Sequence, residues 1–291
     1  MNDLIDKSLA SHKKQREWLI CVDSDGCAMD TMDIKHHRCF GPCMIKEWGL
    51  EEWQEPVLRL WCKINLYTMT RGINRFRGLV QALCEVDAGY TPIEGIYELL
   101  EWVSEAKELS NRTIENKIAE LNSRGENAEI YIKALNWSIA TNNAIDELTD
   151  EEKLPFDGVG DALKDLHEFA DVAIVSSANL GAVLDEWQRC GLLDYTDTVA
   201  SQNDGSKAYC IGELLKHGYE LNRVIMCGDA PGDLEAARAN GVLFFPILVG
   251  KERQSWSELA TEGRRRLLCD EYRGKYQEEL IRRFNENLGG K

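Results

Sequence analysis

Five consecutive apolar residues, Trp18, Leu19, Ile20, Cys21 and Val22, run directly into Asp23, Ser24, Asp25 and Gly26. An unbroken apolar run of that length predicts a strand buried on both faces, as in the interior of a parallel sheet. From residue 31 to 154 the apolar positions recur at helical spacing instead. Residues 51–67 put Trp53, Val57, Leu60, Trp61 and Ile64 on one face, with Pro56 close enough to the start to be tolerated. Thr91, Pro92, Ile93 and Glu94 have the form of a capping box with proline at the first helical position, which predicts a helix to about residue 109. Ser110 predicts another start, Gly125 its end, and residues 127–148 a further long helix.

From Pro155 the pattern alternates. Helices are expected over 159–170, 179–190, 206–217 and 234–240, with Gly191, Gly218 and Gly241 as left-handed stops. Short apolar strands are expected over 172–175, 224–227 and 242–245. Helices alternating with buried strands predict a parallel sheet with crossover connections. The expected fold class is therefore α/β: a Rossmann-like core of residues 1–30 and 155–291, with an all-helical cap of residues 31–154 inserted behind the first strand. The charged tail from Glu252 carries an apolar stripe, Leu280, Ile281, Phe284 and Leu288. That stripe is expected to pack on the core or on a partner chain.

Composition narrows the partners. A chain of 291 residues, 44% hydrophobic and 29% charged, has ample core for two domains. No apolar run approaches the roughly 20 residues of a transmembrane helix, and residues 1–16 lack the apolar stretch of a signal peptide. Ten cysteines are scattered singly through apolar segments, as at Cys21, Cys84 and Cys227, the pattern of reduced buried thiols. A cytoplasmic location is expected. The net charge of −16 argues against nucleic acid and anionic membranes as partners, since both are bound through basic surface.

Polar residues stand at the ends of three buried runs: Asp23 with Asp25, Ser176 with Ser177, and Asp229 followed by Asp233. Strands side by side in an open sheet bring their carboxyl ends together at the ligand crevice. Four carboxylates crowded there call for a cation. Hard oxygens with open positions suit Mg²⁺, which completes its shell with water and substrate phosphate. Lys207, in the first turn of its helix, supplies a balancing positive charge. A hydroxyl, a helix N-terminus and an ammonium are the groups expected around a phosphoryl group.

In this order the residues resemble the haloacid dehalogenase superfamily over about residues 18–246. Its four motifs match Asp23-Ser24-Asp25-Gly26, then Ser176, Lys207, and Gly228-Asp229 with Asp233. A helical insertion behind the first motif resembles the cap of the subclass that holds sugar-phosphate phosphatases, β-phosphoglucomutase and phosphonoacetaldehyde hydrolase. The resemblance implies Asp23 as a nucleophile forming an aspartyl-phosphate and Asp25 as general acid and base. Ser176 and Lys207 would hold phosphoryl oxygens, with Ser177 as an alternative to Ser176. Asp23, Asp229, Asp233 and the backbone carbonyl of Asp25 would hold Mg²⁺. Dehalogenases lack the second acid, and phosphonate hydrolases usually do. An ester's alkoxide leaving group needs a proton, so Asp25 favours a phosphomonoester hydrolase acting on a small phosphorylated metabolite. A mutase with the same residues, a phosphonate hydrolase using Lys35 or Lys46, and a catalytically silent phospholigand-binding protein are the alternatives.

Other features have two readings. Arg71, Arg75 and Arg77 are either a solvated helix start or a clamp binding the substrate's leaving group. His36, His37, Cys39 and Cys43 have zinc-like spacing but no second cysteine pair; helix packing is the competing reading. Cys27 is expected to fill the turn of the first motif. The tryptophans of the cap, Trp48, Trp53, Trp61, Trp102 and Trp137, read mainly as helix core.

Overall fold

Strand β1 (Trp18–Val22) is buried along its whole length and lies at the centre of the sheet. The computed structural model describes residues 7–290. Among these, β1, β2 (Ala170–Val175), β3 (Thr198–Ala200), β4 (Val224–Gly228) and β5 (Leu243–Pro246) form one sheet in the order β3-β2-β1-β4-β5. All four pairings are parallel. The chain fills one side of β1, crosses over, and fills the other, so β1 lies where a ligand crevice opens in sheets of this kind. Val22 is in register with Ile174 of β2 and Cys227 of β4. The residues that follow these strands therefore emerge at one end of the sheet.

Side chains of a strand alternate between faces, and β1 divides the core accordingly. Trp18, Ile20 and Val22 join Val159, Leu163, Leu166, Val183 and Trp187 on one face, with Trp256, Leu259 and Leu267 from the C-terminal helices. Leu19 and Cys21 join Ile211, Leu214, Leu234 and Ala237 on the other, with Phe284 and Leu288. The tail thus packs on the core: Phe284 meets the ring of Phe244 edge-on at 5.5 Å, and Tyr272 donates to the Phe244 carbonyl at 2.8 Å.

Several sequence-based bounds shift. The helix expected to reach residue 170 ends at His167, and Ala170 already belongs to β2. The helix expected from Leu234 starts at Pro231, where proline's missing N–H costs nothing. β3 carries no sequence signal of its own, because three residues at a sheet edge do not establish a period.

The chain divides into two units, Met1–Met32 with Asp150–Lys291, and Asp33–Thr149. The second is helical, with Gln54–Leu66, Arg75–Gly89, Ile96–Glu105, Asn111–Arg124 and Glu129–Asp146 as its longest helices. Ser110 forms a reciprocal capping box with Thr113, and Gly125 closes that helix in the left-handed conformation. The capping box expected at Thr91 does not form. Asp87 takes the Ile93 N–H at 2.7 Å, and the helix begins at Ile96 after Gly95 at φ 78°. A Cβ on Gly95 would lie 2.9 Å from that of Ile130, so both conformation and space require glycine there. Among the described residues no helix is long and apolar enough to cross a membrane.

At the opposite end of the sheet from residues 23, 176 and 229, buried polar groups tie down the N-terminal segment. Asp171 accepts the N–H groups of Gln15 and Arg16 at 2.8 and 3.0 Å and the hydroxyl of Tyr219 at 2.5 Å. Because Tyr219 has spent its proton on Asp171, His12 must donate from Nε2 to the Tyr219 oxygen at 2.9 Å, leaving Nδ1 to accept from Thr198 at 2.5 Å. Burial holds the His12 pKa below its usual 6.5; His217 adds to this, while Asp171 and Asp197 oppose it. Between the lowered folded value and 6.5 the unfolded chain binds the proton and the folded chain refuses it, so stability rises with pH across that window. Urea unfolding should therefore show lower stability at pH 5.5 than at pH 7.5, with His12 contributing a slope of up to about 1.4 kcal/mol per pH unit. His12→Gln should flatten the dependence; an unchanged slope would remove His12 as its source.

Candidate active site

The turn after β1 is built around Ser24. Its carbonyl accepts the N–H groups of Cys27, Ala28 and Met29 at 3.3, 3.0 and 2.8 Å, and Gly26, at φ 79°, returns its N–H to Met29 at 2.8 Å. A positive φ in so tight a turn suits glycine. Asp23 extends the ladder by donating its N–H to the Cys227 carbonyl at 3.0 Å, and its Oδ1 accepts the Ser24 N–H at 2.8 Å. Asp25 lies two residues on, with Oδ1 accepting the hydroxyl of fully buried Thr31.

Across the sheet, β4 ends at Gly228 and Asp229 follows. Asp233 is in the first turn of the helix Pro231–Asn240 and reaches back to accept the Ala230 N–H at 3.0 Å. Lys207 opens the helix Lys207–Leu215, whose N-cap is Ser206. Its ammonium lies 2.8 Å from Asp23 Oδ2 and 2.5 Å from Asp233 Oδ1, with all three side chains buried or nearly so. Burial alone would lower the Lys207 pKa, but Asp23 and Asp233 outweigh it and lift the value above the ordinary one. Burial raises the Asp23 pKa well above its usual 3.8; Lys207 opposes the shift, and Asp233 and Asp229 add to it.

Asp23, Asp229 and Asp233 each offer a carboxylate oxygen within 4.8 Å of the others. Three buried carboxylates crowd together here with the Lys207 ammonium between two of them, and an all-oxygen donor set of this kind suits a hard divalent cation. The approach of Asp233 to the end of β4 depends on Gly228, where a Cβ would stand 2.2 Å from the Asp233 carboxyl carbon. Gly228→Ala should cost about 1–3 kcal/mol by overpacking, measurable by denaturant unfolding. A cost below about 0.5 kcal/mol would mean that Asp233 is free to move away.

The geometry sorts the sequence candidates. Asp23, Lys207, Asp229 and Asp233 are brought into one cluster. Ser176 follows β2 at the same end of the sheet and is buried; its N–H reaches the Ala200 carbonyl at 2.9 Å, and its Oγ accepts the Ala178 N–H at 3.1 Å. Ser177 is exposed. Burial thus differs between two serines that are equivalent in sequence. Thr31 acquires a role the sequence did not signal, and Gly228, quoted in sequence only as part of a motif, acquires its spatial reason, because a partner six residues away and a close approach to a later helix leave no periodic mark.

The three arginines do not form one open cluster. Arg71 is buried and donates to the Leu66 carbonyl at 2.9 Å. Arg75 donates to Ser138 Oγ at 3.0 Å and Asn142 Oδ1 at 2.7 Å and lies over the ring of Phe40 at 5.2 Å, tying two helices of its own unit together. Arg77 is exposed. Internal packing explains the grouping of the first two. The zinc-like segment is likewise packing: His36 stacks on Phe40 at 4.7 Å and accepts the Trp61 indole N–H at 3.0 Å. Among the described residues, groups able to hold a metal reduce to the three aspartates. Cys27 fills its turn, fully buried, with the thiol 3.5 Å from the Cys227 carbonyl it donates to.

A family described as haloacid dehalogenase-like hydrolase matches residues 101–247, half of the chain; the segment includes Ser176, Lys207, Asp229 and Asp233 and begins after Asp23. No curated protein matches the chain. Similar solved structures include a haloacid dehalogenase-like hydrolase from Xanthomonas campestris, 12% identical, covering 90% of this chain and 97% of that one with a TM-score of 0.48. A haloacid dehalogenase-like hydrolase from Streptococcus pneumoniae is 17% identical, with coverages of 79% and 83% and a TM-score of 0.46. A subfamily IA hydrolase from Geobacter sulfurreducens is 15% identical, with coverages of 79% and 88% and a TM-score of 0.42.

Proposed function

The chain belongs to the haloacid dehalogenase-like hydrolases, and we propose that within this family it is a Mg²⁺-dependent phosphomonoester hydrolase that acts on a small phosphorylated metabolite through an aspartyl-phosphate on Asp23. The observation that carries this reading is the buried cluster in which Lys207 bridges Asp23 and Asp233, with Asp229 beside them and Asp25 two residues beyond the nucleophile. A cation held by Asp23, Asp229, Asp233 and the Asp25 carbonyl would offset the negative charge of the phosphoryl oxygens and the carboxylates.

The protein's own groups account for the bond changes. An Asp23 carboxylate oxygen attacks phosphorus, the P–O bond to the alcohol breaks, and the protonated Asp25 gives its proton to the departing alkoxide. Asp25, now a carboxylate, takes a proton from water, whose oxygen attacks the phosphorus. The bond to Asp23 then breaks, releasing inorganic phosphate and restoring both acids. Lys207 opposes the burial that favours the neutral form of Asp23, and a cation beside the carboxylate would act in the same direction. Ser176 and the Lys207 ammonium are the groups for the remaining phosphoryl oxygens.

A panel of metabolite phosphates assayed for phosphate release in Mg²⁺ tests the reading. Turnover that EDTA abolishes and Mg²⁺ restores is the expected result. Full turnover in excess EDTA, or no release from any ester, would overturn it. Asp25→Asn should slow hydrolysis by about 10²- to 10⁴-fold while leaving Mg²⁺ binding by calorimetry largely intact, because the ligand from that residue is its backbone carbonyl.

A further inference from the structure

We infer that Trp187 and Trp256 are positioning residues that hold the 23–29 turn in its working geometry, each through one indole hydrogen bond. Both side chains are fully buried. The Trp187 indole N–H donates to Ser24 Oγ at 2.9 Å, and that of Trp256 to the Cys27 carbonyl at 2.9 Å. They come from different helices, Leu180–Arg189 and Glu252–Glu258, yet reach the same short turn. They also pack in the same core cluster as Trp18, Ile20 and Val22, the face on which β1 is anchored.

A buried indole N–H must find an acceptor, and a phenyl ring would fill much of the same space without that demand. Here the acceptors are the points that set the turn's shape. Ser24 receives three N–H groups on its carbonyl and gives its own N–H to Asp23 Oδ1. Fixing its hydroxyl therefore fixes the direction in which Asp23 leaves β1 and the path to Asp25. Cys27 is the other limb of the same turn, held by its thiol to the Cys227 carbonyl and by its own carbonyl to Trp256. Trp256 lies beyond residue 247, where the family match ends. The C-terminal helices thereby serve the turn as well as the core. Such outer contacts matter because reacting groups must be held to a fraction of an ångström, and an error of about 1 Å costs on the order of 10²-fold in rate.

The inference rests on Asp23 being the nucleophile, and its test has a readout that does not. Trp187→Phe, Trp256→Phe, Ser24→Ala and the double variant Trp187→Phe/Ser24→Ala are compared in the full chain for kcat and KM on p-nitrophenyl phosphate and for amide hydrogen exchange. Expected are losses of about 10- to 100-fold in kcat with KM within about 2-fold. The double variant should be no worse than either single one, because both delete the same bond. Amides of residues 24–29 should exchange faster while the rest of the sheet keeps its protection; a merely structural role would raise exchange throughout the core. Wild-type turnover with kcat retained in the tryptophan variants, or independent effects of Trp187 and Ser24, would overturn the inference. If the wild-type chain hydrolyses no phosphate ester, the proposed function fails instead. The exchange pattern then decides alone, and unchanged protection of residues 24–29 overturns the positioning role. Should Trp187→Phe fail to fold, Ser24→Ala reports on its bond without changing the core's large side chains; should Trp256→Phe fail to fold, placing benzothienylalanine at position 256, which keeps the bicyclic shape and lacks the N–H, tests that bond by the same two readouts.

Discussion

Asp23→Asn is expected to reduce phosphate release to the assay background, a loss of about 10⁵-fold or more, comparable to removal of a covalent nucleophile in other hydrolases. An amide nearly matches the carboxylate in shape, so it should keep the hydrogen bond from the Ser24 N–H and the turn around it. It cannot carry the phosphoryl group, and it contributes no charge to Lys207 or to a cation. Folding should survive, since removing one of three crowded acids also relieves repulsion from Asp229 and Asp233. A thermal midpoint near wild type with no turnover is the expected pair of results. Mass spectrometry of wild type quenched during turnover should show a phosphate adduct on the peptide containing Asp23, absent from the variant. Substantial turnover by Asp23→Asn would transfer the chemistry to another group and end the aspartyl-phosphate reading.

Lys207→Met should have the largest effect on stability. The ammonium is the shared partner of Asp23 and Asp233, at 2.8 and 2.5 Å. Replacing it with an uncharged chain of similar length keeps most of the packing and leaves the acids facing one another in a site with little water. Breaking a buried ion pair from one side typically costs about 3–5 kcal/mol, because the remaining charge is stranded. A fall of about 10 °C in thermal midpoint would correspond. The same argument specifies a rescue. A divalent cation among Asp23, Asp229 and Asp233 neutralises what Lys207 no longer does, so millimolar Mg²⁺ should raise the variant's midpoint more than that of wild type. Activity should not return with stability, since the ammonium's contact with the phosphoryl group is still missing. Equal Mg²⁺ shifts in the two proteins would show that the ion and the lysine do not compensate the same charges.

The α/β architecture was largely legible along the chain because its signals are local. The run from Trp18 to Val22 announces a strand buried on both faces, and the structure uses both: Ile20 and Val22 toward one layer, Leu19 and Cys21 toward the other. Ser110, Gly125, Ser206 and Gly241 mark helix ends because capping is settled within a turn of helix. Where a distant group intervenes, local reading fails. Thr91 has the right neighbours for a cap, yet Asp87 takes the Ile93 amide first. The three-residue β3 exists because β2 offers it an edge.

The acids themselves were visible as polar stops after apolar runs, but their company was not. Which carboxylates share an ammonium depends on β4 lying beside β1 and on Gly228 letting Asp233 approach. For Arg71 and Arg75 the sequence leaves a solvated helix start and an anion clamp equally open, and neither reading anticipates the acceptors at Leu66, Ser138 and Asn142, supplied in part by a helix more than sixty residues away. Trp187 and Trp256 carry no local signal of their roles. Their hydrogen bonds to Ser24 and Cys27 span 163 and 229 residues. Periodicity records how often a chain must turn its apolar side inward, a property each segment carries alone. A hydrogen-bond partner or a counter-ion is a property of two segments together, and only the packing of the sheet with its helices brings those segments within 3 Å.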